Sequence, residues 1–459
     1  MRTTSNGSAC GDPVRITAAA GALAVTVVLA VLALVAGSAP AARAEAAAPE
    51  RPFHWGVASS GFQVEGSNPD SNWRRYVEAN QGNGEVDPVG DAADFWNRYE
   101  EDIANAASMG VNTYRISVEW ARIEPREGEF DQAALEHYDR IIGSIRAHGM
   151  TPMITMLHYV YPGWLADRGG FLDPEAPELF GRFADLITKR WGGDGTMWVT
   201  FNEPLVFYGH EVEIGAIDVT DMGRFLDAVV EAHGYGYRAA HAADPDAMVT
   251  TNEAFLPAVT GITDMMLLDR VRDQLDFVGI DYYYGVSLDN LTAIHAAVAD
   301  FGRVRPQPDA VYEAVRHFAE AFPGKPIYFV ENGMPTVDGE RADGAERGDF
   351  IRDTVFWLQR AIADGYPVIG YNYWSITDNY EWGDYSARFG LYRVDILGDP
   401  SKTRTPTSGV DAYRDVIANG GVAEGYQPVF GTAFCSAARI PDSCIDPPDP
   451  AGPLARIGG

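Results

Sequence analysis

From Phe53 to about Ile417, short β-rich runs alternate with longer stretches whose apolar positions recur every three or four residues. The short runs are His54–Ala58, Thr113–Ser117, Met153–Leu157, Met197–Phe201, Met248–Asn252, Phe277–Tyr282, Ile327–Val330 and Val368–Tyr373. Helical spacing marks Ala133–Ala147, Pro177–Arg190, Met222–Ala240, Ala310–Ala321 and Glu346–Ala363. Strand–helix alternation implies parallel strands joined by crossover helices. Eight such units predict an α/β fold, a single (β/α)8 barrel over residues 53–418. No sequence repeat of 20–50 residues interrupts this reading.

Both ends depart from the pattern. Arg2 and Arg15 precede an apolar run from Ile16 to Gly37, and Ala42-Arg43-Ala44 follows as an A-x-A cleavage pattern. Residues 1–44 read as a signal peptide, cut after Ala44, with 45–52 as a linker. The run is also about long enough to span a bilayer, so an uncleaved N-terminal anchor is the alternative. Either way the body is expected outside the cytoplasm, secreted or outward-facing. Past residue 418 the chain is rich in Gly and Pro, and 419–459 read as an irregular appendage. Cys435 and Cys444 fall there, and in an oxidising compartment they are expected to pair. Two Cys without a nearby His make no closed zinc site, and no metal is expected.

The formal net charge of -30 argues against nucleic acid or an anionic membrane surface as partner. The 459 residues are enough to bury a large core. Most of the 10 Trp, 22 Tyr and 21 Phe must belong to that core, but sugar-binding clefts also use such rings. Oligomeric state is not legible.

In a barrel, chemistry sits at the C-terminal strand ends. The fourth run, Met197–Phe201, stops at Asn202-Glu203-Pro204, and the seventh stops at Glu331-Asn332-Gly333. A carboxylate at each end, on one rim, is costly unless paired or used. Cleavage of a glycosidic bond needs two carboxyls, one to protonate the leaving oxygen and one to attack or to assist water. Each motif alone also fits an ordinary turn.

The sequence resembles glycoside hydrolase family 1, the β-glucosidase family. The resemblance runs from Phe53 to about Asp395. It is carried by Gly61-Phe62-Gln63-Val64-Glu65-Gly66, Arg115-Ile116-Ser117-Val118-Glu119-Trp120, the two glutamate-bearing strand ends, Trp374 through Trp382, and Arg388-Phe389-Gly390-Leu391. It implies a retaining enzyme with Glu203 as acid/base and Glu331 as nucleophile. Arg115 and Tyr283 resemble the residues that support the nucleophile. Gln63, His158, Asn202, Glu381 and Trp382 resemble the ring that binds sugar hydroxyls, and Trp374 the platform beneath the sugar. The implied course is double displacement through a covalent glycosyl-enzyme, with no cofactor, on a carbohydrate or glycoside substrate. Glu381 favours unphosphorylated sugars, because a carboxylate repels a 6-phosphate. A transglycosylase, an endo-acting relative and an inactive carbohydrate-binding barrel are the alternatives.

The chain departs from that family at Tyr159, where Trp is usual, and at Asp281, where Asn is usual. Asp281 is expected to add negative charge near the nucleophile. The stretch between Trp382 and Arg388 is about one residue shorter than usual. Leu205–Met222 and Pro257–Asp276 also look short, so the rim loops are expected to be cut back.

Overall fold

The computed structural model describes residues 52–458, apart from 85, 256–259, 284, 286, 288–303, 440 and 441. The expected signal peptide, Cys10, most of the linker and the start of the Pro257–Asp276 segment lie outside the described residues.

Nine strands make one parallel sheet: β1 (His54–Ala58), β2 (Thr113–Ser117), β3 (Thr151–Leu157), β4 (Met197–Phe201), β5 (Met248–Thr250), β6 (Asn252–Ala254), β7 (Val278–Tyr282), β8 (Ile327–Asn332) and β9 (Val368–Trp374). Their order is β5-β4-β3-β2-β1-β9-β8-β7-β6. Since β5 pairs with β4, and β6 with β7, while only Thr251 separates β5 from β6, the ring comes round on itself. The molecule is a (β/α)8 barrel. The sequence reading of one strand at Met248–Asn252 is corrected in form: it is two short strands, and it reaches Ala254. Side chains take over where the ladder breaks. The Thr251 hydroxyl donates to the Phe201 carbonyl at 3.0 Å, and the Gly279 N–H donates to Thr250 Oγ1 at 3.2 Å.

Strands covered on both faces read as apolar runs. Met-Trp-Val-Thr-Phe of β4 is buried throughout. Inside the ring, Met153, Met197, Val199, Phe277, Tyr328 and Val330 form a separate plug. Tyr328 lies so close to β9 that a Cβ on Gly370 would stand 2.2 Å from its ring, which requires glycine there. Outside the ring, helices cover the strands through one apolar face each. On α1 (Gln132–Ala147) that face is Leu135, Tyr138, Ile141, Ile142 and Ile145, and Asp131 caps its first amides at 2.8 and 3.2 Å.

The segment after helix Ser408–Asn419 is largely irregular and is held by α2 (Arg347–Ala363). Asp353 accepts from the Tyr426 hydroxyl at 2.7 Å and the Phe430 N–H at 2.7 Å, and Gln359 from the Val422 N–H at 2.8 Å. That cover explains why α2 is buried around most of its circumference. Cys435 and Cys444 form a disulfide, as the sequence led one to expect.

A buried ion pair ties the helix Phe95–Ser108 to the segment before helix Ser408–Asn419. Arg404 reaches Asp102 at 2.8 and 2.9 Å, with both side chains almost fully buried. Removing one member leaves an uncompensated charge. Asp102→Ala should lower unfolding free energy by about 3–5 kcal/mol in denaturant titration; a change within about 0.5 kcal/mol would show the pair to be incidental.

Candidate active site

The C-terminal rim collects a side chain from nearly every strand. Arg115 projects from β2, His158 follows β3, and Asn202 and Glu203 follow β4. Asn252 lies on β6, Asp281 on β7 with Tyr283 just beyond, Glu331 on β8, and Trp374 ends β9. Hydrogen bonds and ring contacts link nine of the ten residues singled out from sequence, and Gln63 joins them only through the Tyr380 carbonyl.

Glu331 is held on both oxygens. Arg115 Nη1 pairs with Oε1, and the Tyr283 hydroxyl donates to Oε2. Arg115 also donates through Nη2 to Asn202 Oδ1 at 2.6 Å and through Nε to Thr155 Oγ1 at 2.9 Å. One guanidinium, fully buried, thus ties β8 to the end of β4. Asn202 Nδ2 in turn reaches His158 Nε2 and Glu203 Oε2, both at 3.4 Å.

Glu203 stands at φ 36, the residue before helix Pro204–Glu213. The helix starts on Pro, whose missing N–H is not needed there. Burial raises the Glu203 pKa most, and the charge of Glu331 adds to that. The Tyr159 hydrogen bond and the Arg115 charge pull it back, leaving it pushed up to about 8. A carboxyl at that value carries a proton at neutral pH.

The sugar-binding candidates line the same opening. The His158 ring stacks at 5.7 Å on Trp374 and at 5.9 Å on Trp382. Burial and the Arg115 charge hold His158 well below the usual histidine range, and its Nδ1 has no protein partner. Glu381 accepts from Asn379 Nδ2 at 2.6 Å and Trp374 Nε1 at 3.4 Å. Burial pushes it up to about 8. Gln63 accepts from Ser60 at 2.6 Å and donates to the Tyr380 carbonyl at 2.8 Å, beside Glu381.

Asp281 behaves differently from the expectation that it adds charge. It accepts from Asn252 Nδ2 on Oδ2, and its buried Oδ1 has no protein partner. Burial, followed by the charges of Glu331 and Glu203, raises it well above the usual carboxylate range. Its surroundings therefore favour the protonated form, which is closer in charge to an asparagine.

Asn252 and Glu253 escaped the sequence reading. Asn252 Nδ2 also donates to Asn202 Oδ1 at 2.8 Å. Glu253 is buried, neither of its oxygens has a hydrogen-bond partner among the described residues, and burial raises it well above its usual range. The strand-end rule that found Glu203 applies equally to them, but the strand was ended one or two residues early. Tyr159 was noted as a departure only, yet its hydroxyl donates to Glu203 Oε2.

Two buried carboxyls at one opening, one protonated and the other paired with a guanidinium, match the division of labour of glycosidic-bond cleavage. The protein is a glycoside hydrolase on a barrel scaffold. The model described as Glycosyl hydrolase family 1 matches residues 46–255 and 242–422. The chain belongs to that family. Among its relatives, β-glucosidase A of Thermotoga maritima is 27% identical over 442 residues, covering 81% of this chain and 98% of the relative. A bifunctional β-D-glucosidase/β-D-fucosidase of Bifidobacterium breve is 28% identical over 455 residues, covering 80% and 97%. Among solved structures, the Thermotoga maritima β-glucosidase in complex with castanospermine has a TM-score of 0.69 at 26% identity, covering 82% of this chain and 99% of that one.

A step that draws a proton from Glu203 is competent below its pKa and fails above it. The kcat/KM of a phenyl β-glycoside should therefore fall as pH rises through about 8. Glu381 titrates over the same range, but only the Glu203 part depends on the leaving group. That part should vanish with a 2,4-dinitrophenyl glycoside; identical profiles for the two substrates would contradict the assignment.

Proposed function

We propose that the protein is an extracytoplasmic retaining β-glycosidase of β-glucosidase type, acting on unphosphorylated β-linked gluco- or galacto-configured sugars. The observation that carries this is the Arg115 bridge, which pairs Glu331 with a cation while Glu203 stays protonated across the opening.

Glu331 attacks the anomeric carbon, and its carboxylate oxygen forms the new bond. As the glycosidic C–O bond breaks, its electron pair stays on the leaving oxygen, which takes the proton from Glu203. Glu203, now ionised, removes a proton from water, and that water displaces Glu331 with net retention. Tyr283 and Arg115 hold Glu331 on its line of attack. Asn202 is placed for the 2-hydroxyl, where a hydrogen bond strengthens in the transition state. Trp374 supplies the ring beneath the sugar, and Gln63, His158, Glu381 and Trp382 meet its remaining hydroxyls.

The β-glucosidase and β-fucosidase activities of the relatives support the sugar class. The argument against a 6-phosphate changes its basis. Glu381 is largely neutral in the empty site, so standing repulsion is weak. The groups that shift it are Asn379, Trp374, Glu331 and Asp384, none of them a cation that would welcome a phosphate.

The Arg2–Ala44 segment and the Cys435–Cys444 disulfide support export to an oxidising compartment. Protein recovered from the producing cell should begin at Glu45 by mass spectrometry, and a chain retaining residues 16–37 would make it anchored instead.

Azide separates the two glutamates. It should partly restore Glu203→Ala on an activated aryl β-glycoside and yield a β-glycosyl azide, whereas Glu331→Ala should yield the α-azide. Before rescue, Glu331→Ala should lose at least about 10²-fold in kcat/KM, and Glu203→Ala a similar factor in kcat, because release of the glycosyl-enzyme then limits turnover. Full activity of Glu331→Ala, or the same anomer from both, would remove the double-displacement reading.

A further inference from the structure

Tyr159 is the least expected member of the rim. It follows the His158 position, where the chain departs from its family, and its ring is buried. Its backbone sits at φ 65, a left-handed conformation that a bulky side chain adopts only under constraint. Glu203, its hydrogen-bond partner, sits at φ 36. Two residues in sparsely populated backbone conformations, facing each other across one short bond, mark a geometry that the surroundings enforce.

The enforcing contacts are visible. Asn72 Nδ2 donates to the Tyr159 carbonyl at 3.0 Å and to Glu211 Oε1 at 3.0 Å, while Asn72 Oδ1 accepts from the Tyr161 N–H at 3.1 Å. Tyr161 donates to Glu211 Oε2 at 2.6 Å. Glu211 lies on the helix that begins just after Glu203, so one cluster pins both the loop of Tyr159 and the helix behind Glu203. The Tyr159 ring rests 4.9 Å from Trp382 and 5.0 Å from His210. A phenylalanine would keep those contacts; only the hydroxyl touches Glu203.

That contact distinguishes the two oxygens of the carboxyl. Tyr159 donates to Oε2, Asn202 Nδ2 also approaches Oε2, and Asn202 Nδ2 braces the Tyr159 oxygen at 2.8 Å. Among the described residues, no hydrogen bond goes to Oε1. We propose that Tyr159 is the positioning residue of the acid/base: it holds Oε2 and thereby assigns Oε1 as the oxygen that passes the proton to the leaving oxygen and takes one back from water. The inference rests on Glu203 being the acid/base and adds the atom and the residue that orients it. It also gives the departure at this position a role, since the polar tip of the side chain is turned to the carboxyl of Glu203.

The hydrogen bond favours ionised Glu203, so its removal should move the basic limb of kcat/KM upward. The groups that otherwise bear on that limb are Glu331, which raises the proton affinity of Glu203, and Arg115, which lowers it; Asp281 and Glu253 also face Glu203, whose charge raises theirs. His158 and His210 lie against the Tyr159 ring. None of these is altered in Tyr159→Phe.

The experiment compares wild type, Tyr159→Phe and Glu203→Ala on aryl β-glycosides running from 2,4-dinitrophenyl to phenyl. For Tyr159→Phe, kcat/KM should drop about tenfold or more on the phenyl glycoside and less than about threefold on the dinitrophenyl one, since only the poor leaving group needs an oriented acid. Its basic limb should rise by about one pH unit, a tenfold gain in proton affinity. Placing 3-fluorotyrosine at position 159 alone, which strengthens the donor, should move the limb the other way and serves if Tyr159→Phe does not fold. An equal loss on every substrate with an unmoved limb would reduce Tyr159 to packing and overturn the inference, while leaving Glu203 as acid/base. If Glu203→Ala itself shows no dependence on leaving group, the acid/base assignment fails and the inference with it.

Discussion

The mouth of this barrel depends on one buried guanidinium. Arg115 has no exposed surface, and a cation so placed is tolerable only if its donors are met. Glu331, Asn202 and Thr155 meet them, from three different strands or strand ends. Breaking that set would strand a charge among buried carboxyls. The same contacts fix the direction of Glu331 and the amide orientation of Asn202, so electrostatics and geometry have one source.

Around Arg115, desolvation decides who is charged. Glu203, Glu381, Asp281 and Glu253 are all raised chiefly by burial, and for Glu203, Asp281 and Glu253 neighbouring negative charge adds to that. Only Glu331 has a guanidinium of its own. One cation among five acids therefore sorts them: the guanidinium lies against Glu331, while burial favours the protonated form of the other four. An acid and a nucleophile follow from that sorting without any difference in residue type.

The rim is also where backbone strain gathers. Tyr159, Glu203 and Trp382 all take positive φ values, at 65, 36 and 47. Their rings and carboxyl meet in one cluster, backed by Asn72 and Glu211. Strained residues persist where surrounding contacts over-determine them. Here those contacts come from the β3 loop, the helix after β4 and the loop after β9, far apart in sequence.

Much of this was legible in the chain. Alternating apolar runs and amphipathic stretches are local properties, so the eight-unit barrel and most element boundaries could be read off directly. Glu203 and Glu331 stood out because each ends an apolar strand. The split at Thr251 was not legible, since the whole run 248–254 has strand character and the break arises from pairing with two different neighbours. Nor were the contact between Tyr159 and Glu203, or the burial that raises the proton affinity of Asp281 and Glu253. A carboxyl's protonation depends on desolvation and on charges brought near it by folding. Sequence alone determined which chemical groups the rim would carry; tertiary structure decided which oxygen faces which donor and which acids hold protons, because distance and dielectric exist only in the folded chain.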